Sequence, residues 1–143
     1  MTIKESLLEV REYTGLGYQP IVDYANWRVA ILRWKDDMLP ENIDAFQRHL
    51  ETDEVFVLLT GKCILFIGDG ADQITEIYGE DMVPFKAYNV KKATWHFHTV
   101  SDDAVILIVE NRDTGATNSN NITLDIAQKA HIVELTAALW PRS

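Results

Sequence analysis

The sequence predicts an all-β domain, a sandwich or barrel of short antiparallel strands with a helix at each end. Three observations lead there. A series of apolar runs, EVFVLLTG, CILFIGDG, ITEIYG, AYNV and AVILIVEN, follows residue 53 at spacings of about ten residues. Gly, Asp or Pro separates each run from the next, as tight turns require. No helix-length segment interrupts them, which argues against a parallel βαβ arrangement. With 143 residues, 47% of them hydrophobic and 24% charged, the chain has the size and composition of one globular domain, taken as 1–143.

Taken in order, Thr2 and Glu5 form a capping-box pattern, and Ile3, Leu7, Leu8 and Val10 predict a short amphipathic helix that Gly15 and Gly17 end. WRVAILRW (27–34) is rich in β-branched and aromatic residues and predicts a strand. DDMLPENIDAF reads as a loop broken at Pro40. GDGAD is the clearest hairpin turn. After Asn111, DTGATNSNN reads as a polar loop. A helix over about 124–139 follows, with Ile126, Ala130, Val133 and Ala137 at helical spacing and His131 on its surface. Trp27, Trp34 and Tyr88 are expected in the core.

The net charge of −9 argues against nucleic acid or an anionic membrane surface as a partner. No apolar run reaches the roughly 20 residues that span a bilayer, and MTIKESLLEVRE has no signal-peptide core, so a cytoplasmic location is expected. Cys63, the single cysteine, lies in the apolar run CILFI and reads as a buried, inert thiol.

The residues that could carry chemistry fall in two places. QRHLETDEVFVLLTG holds Gln47, His49, Glu54 and, after six intervening residues, Gly61. PFKAYNVKKATWH begins at Pro84 and ends at His96, with His98 two residues on. In an extended strand His96 and His98 share a face, while Trp95 and Phe97 point the other way.

These two stretches resemble the paired motifs of the cupin superfamily over 27–111, and the phrases ETDEVFVLL and YNVKK…WH resemble small bacterial cupin-like proteins. The resemblance implies a double-stranded β-helix, a jelly-roll barrel with a cavity open at one end. It places His49 and Glu54 at first-motif ligand positions and His96 at the second-motif histidine. The departures are Gln47 where a histidine is usual, Phe85 and Ala93 where turn glycines are usual, and Lys91 where a proline is usual.

On this resemblance His49, Glu54 and His96 form a 2-His-1-carboxylate set suited to one divalent transition metal, Zn, Fe, Mn or Ni. Gln47 then adds a neutral oxygen or hydrogen-bonds a water. His98 either replaces the lost ligand or sits nearer the barrel mouth. The alternative for the same residues is a barrel lining that hydrogen-bonds itself and a few waters. Lys91, beside Lys92, either draws a small polar or anionic metabolite to the cavity or flanks a turn in solvent.

Three functions stay open. The first is a metal-dependent enzyme of isomerase, lyase or dioxygenase type. The second is a metal-free small-molecule binder. The third is a structural homodimer paired through an edge strand, for which WRVAILRW is the candidate.

Overall fold

The computed structural model describes residues 1–142. Ten strands and one α-helix follow one another: β1 (Gly17–Tyr24), β2 (Trp27–Arg33), β3 (Ala45–His49), β4 (Glu54–Thr60), β5 (Cys63–Asp69), β6 (Glu76–Asp81), β7 (Ala87–Val90), β8 (Trp95–Val100), β9 (Val105–Asn111), β10 (Ser119–Thr123) and α1 (Ile126–Leu139). Two 3-10 turns, Asp36–Met38 and Pro40–Asn42, link β2 to β3. The strands form two five-stranded antiparallel sheets, ordered β1-β2-β9-β4-β7 and β10-β3-β8-β5-β6.

Alternation along the strands builds two cores. Between the sheets, Ala30, Leu32, Phe56, Leu58, Cys63, Leu65, Val100, Ile106 and Ile108 pack together. On the outer face of the second sheet, Phe46, Ile64, Phe66, Ile77 and Trp95 pack under Ile132 of α1. Because β5 contributes to both, its alternate residues are all covered, which explains why CILFI is continuously apolar. Cys63 is fully buried, and burial pushes its thiol well above the ordinary range.

Two turns fix where the site residues lie. Gly61 adopts φ +74°, and a Cβ there would stand 2.7 Å from the Ala104 backbone, so only glycine fits. Phe85 and Ala93, at the two positions where the resemblance expects glycine, both keep left-handed backbone, at φ 68° and 63°. The left-handed turn geometry is present without glycine. The Ala93 N–H donates to the His49 carbonyl at 2.7 Å, tying the second motif to the first. Asp53 reinforces the tie by accepting from the Lys92 N–H at 2.7 Å and from Asn89 at 3.1 Å.

Several expectations need correction. Residues 1–14 contain one turn and no helix, and Ile3, Leu7, Leu8 and Val10 are exposed. A helix this short is marginal without a surface to pack on, and none is near. GYQPIVDY, a stretch left without an assignment from the sequence, is strand β1, paired with β2. β2 therefore lies inside its sheet between β1 and β9 and is not an edge available for pairing. The loop DTGATNSNN ends in β10, which pairs with β3. The C-terminal helix is present, capped by an Asp125–Gln128 box, but its inner face carries Ile132, Leu135 and Leu139. Ile126 and Val133 are exposed, so the face read from the sequence was rotated outward. His131 is half-buried, its Nε2 3.1 Å from the Ile77 carbonyl. Trp27 is exposed, whereas Trp34 and Tyr88 pack on the core. Among the described residues no helix is long and apolar enough to cross a membrane.

Candidate functional site

Five strands carry the site on their inward positions. Arg28 (β2), Glu110 (β9) and Glu54 (β4) form a row across the first sheet: Arg28 pairs with Glu110, and Glu54 and Glu110 come next after the paired Val55 and Val109. From the facing sheet, β3 presents His49 and β8 presents His96 and His98. All of these but His96, which lies behind them, border a cavity of about 650 Å³, also lined by Tyr18, Gln47, Phe97, Thr114, Ser119 and Asn121.

His49, Glu54 and His96 meet, their donor atoms all lying within 4.8 Å of one another. Nε2 of His49 is 3.2 Å from Glu54 Oε2, and Nε2 of His96 is 3.2 Å from Glu54 Oε1. All three side chains are at least nine-tenths buried. Each imidazole is anchored at its other nitrogen. Nδ1 of His96 lies 2.9 Å from the Thr94 carbonyl, and Nδ1 of His49 lies 2.8 Å from Ser119 Oγ. Both rings therefore aim Nε2 at the carboxylate, the arrangement in which histidine ligates a metal. The Nε2 of His49 is buried and, although 3.2 Å from Glu54 Oε2, makes no hydrogen bond. An unpaired, buried imidazole nitrogen beside a carboxylate and a second imidazole fits a divalent transition metal.

The charges inside the site are strongly interdependent. Burial alone would raise Glu54, but the close approach of the His49 and His96 imidazoles, and then of the Glu110 carboxyl, holds it well below the ordinary carboxylate range. Burial pulls His49 down, yet the Glu54 carboxylate outweighs it and leaves His49 above its ordinary value. Glu110 is pushed up to about 7, first by burial and then by Glu54, against the pull of Tyr18 and Arg28. Like charges on adjacent strands repel, so Glu110 takes up a proton far more readily than Glu54 does. Tyr18 Oη and Arg28 both donate to Oε1 of Glu110, the latter at 2.8 and 3.2 Å, leaving Oε2 without a donor. Arg28 is itself held by the Arg112 and Thr114 carbonyls.

His98 shares the inward face with His96, and neither of its ring nitrogens has a partner. It stacks on Phe97 with ring centroids 4.6 Å apart. Burial, and then the charge of His96, lower it to about 4, so it is neutral at physiological pH. Gln47 lines the cavity, in register with His96 on one side and Asn121 on the other. Lys91 is not among the lining residues. Its side chain is largely exposed, with Nζ 3.9 Å from Asp53 Oδ2. The sequence reading missed Tyr18, Arg28, Glu110 and Ser119. For Glu110 a signal existed, since it continues the inward series Ile106, Ile108 along AVILIVEN.

No protein-family model and no curated protein matches the sequence. Solved structures do. Pac13, a nucleoside dehydratase, superposes with a TM-score of 0.55 at 8% identity, over 78% of this chain and 83% of that one. A Streptomyces Pac13 variant with uridine gives a TM-score of 0.57 at 9% identity, over 92% and 98% of the two chains. A second such variant with uridine gives 0.56 at 11%, over 87% and 93%. The chain has the cupin fold.

Proposed function

We propose that this chain is a small metal-dependent cupin enzyme of lyase or isomerase type, with His49, Glu54 and His96 as the metal ligands and a polar metabolite as substrate. One observation carries the reading. Three buried donor groups converge within 4.8 Å beside a cavity of about 650 Å³, and one of their nitrogens has no partner. A bound divalent ion supplies Lewis acidity and local positive charge. The chain's own residues supply the rest. Glu110, fixed in place by Tyr18 and Arg28 at Oε1, is poised to take up or release a proton at Oε2 near neutral pH. His98, neutral and unpaired, offers one donor and one acceptor to the substrate, and Gln47 offers an amide. Phe56, Leu32 and Ile108 form an apolar wall that keeps bulk water from these groups.

Proton-transferring groups around the ligand set favour lyase or isomerase chemistry over the dioxygenase alternative. That Pac13 is a nucleoside dehydratase makes elimination of water the reaction to try first. Since Lys91 lies outside the cavity, substrate contacts fall to Gln47 and His98.

A second reading, a metal-free binder, is favoured by Gln47 at a ligand position and by the His96–Glu54 contact, which partly satisfies the site without an ion. Thermal-shift titration with divalent metals, then with uridine in the presence and absence of chelator, separates the two. Metal stabilisation abolished by chelator is the expected result. Stabilisation by uridine that survives chelator, with no metal response, supports binding alone.

A further inference from the structure

The two imidazoles of the triad are anchored by different chemistry. The partner of His96 is a carbonyl, which only accepts, so Nδ1 of His96 carries a hydrogen whatever else happens. The partner of His49 is the Ser119 hydroxyl, which can accept from Nδ1 or donate to it. If Ser119 donates, a neutral His49 carries its hydrogen on Nε2 and cannot ligate. If Ser119 accepts, Nε2 is a free lone pair.

The surroundings of Ser119 decide between these. Its Oγ is 3.5 Å from Asn118 Oδ1, a long contact that a small rotation of the hydroxyl-bearing side chain would shorten into a hydrogen bond. The Asn118 amide cannot flip at no cost, because Oδ1 accepts from the Gly115 N–H at 2.9 Å and Nδ2 donates to the Asp113 carbonyl at 3.1 Å. The acceptor is therefore held towards Ser119. With its proton turned to Asn118, Ser119 accepts from Nδ1 of His49. The β10–β3 register, which sets Ser119 opposite His49, makes this a fixed relation between two strands.

We infer that Ser119 is the positioning residue that sets the metal-binding tautomer of His49, with Asn118 orienting its hydroxyl. The inference rests on the metal reading above. It also accounts for the segment between β9 and β10, which borders the cavity through Thr114, Gly115 and Ala116 and leads into the residue that prepares a ligand.

The test uses Co²⁺ or Zn²⁺ alone, titrated calorimetrically into the metal-free full chain. Ser119→Ala is expected to weaken binding about 10- to 100-fold, the usual effect of losing such a partner, and to lower the metal-free melting temperature only modestly, so that the folded variant can still be titrated. Ser119→Thr keeps the hydroxyl and is expected to restore wild-type affinity. In ¹⁵N imidazole spectra of the Zn²⁺-loaded protein, Nδ1 of His49 should carry the hydrogen in the wild type. Equal affinity of Ser119→Ala and wild type, or failure of Ser119→Thr to restore binding, would overturn the inference while leaving the metal reading intact. Absence of metal binding by the wild type would overturn the metal reading and the inference together.

Discussion

The space between the two sheets has two ends built by the same four strands, and they obey opposite rules. Read inward-facing residues from one end to the other: Leu32, Ala30, Arg28 on β2; Leu58, Phe56, Glu54 on β4; Val100, His98, His96 on β8; Ile106, Ile108, Glu110 on β9. Each strand passes from aliphatic or aromatic to ionisable within five residues. At the first end burial removes apolar surface from water and stabilises the fold. At the second, burial strips hydration from groups that are then only partly paired, which costs stability. Strands that could have continued apolar instead carry a loss, and the natural account of such a loss is function.

The comparison can be broken by truncating each end. Ile106→Ala at the apolar end should destabilise by about 2–5 kcal/mol in denaturant titration, since the side chain is wholly buried. A loss below about 1 kcal/mol would mean that this end is loosely packed. At the polar end, Glu110→Ala strips Arg28 and Tyr18 of their shared acceptor and should cost about 1.5–3 kcal/mol. Glu110→Gln keeps an oxygen for both donors and should fall much nearer the wild type. Equal losses for the two would show that the carboxyl's own charge, not its acceptor, matters.

The sharpest contrast is one of sign. His98→Met replaces two unpaired buried nitrogens with an apolar chain of similar size and should stabilise by about 1 kcal/mol. Destabilisation instead would show that His98 is fully hydrogen-bonded in solution, and that the polar end costs less than the account holds. Smallest of all, Phe85→Gly should gain up to about 1 kcal/mol, because an exposed aromatic at φ 68° bears left-handed strain and little packing. No gain would mean that the turn was already relaxed.

Legibility in the sequence followed the same division. Strands with alternating burial, such as β4 and β9, declare themselves by period, and the His49, Glu54, His96 set was readable because its spacing resembles a known pattern, and the structure brings the three together. β1 and β10 were hidden because GYQPIVDY and SNNIT, each pairing on only one side, bury few residues and so show no period. Lys91 was placed near the cavity by adjacency in sequence, but the turn through Ala93 directs it to Asp53 at the surface. Ser119 and Arg28 owe their roles to pairing across about 70 and 82 residues of chain, which only the folded register reveals. The helix face was misread because the alanines and Val133 have the same spacing as the residues that pack.

The central claim is that the polar end exists to hold a metal. It is tested most directly by elemental analysis of untagged protein after dialysis, alongside His49→Ala and His96→Ala. The account predicts one equivalent of a divalent transition metal per chain, removed by chelator and absent from both variants. Wild-type protein that retains no metal after reconstitution, or variants that retain as much as the wild type, would contradict it.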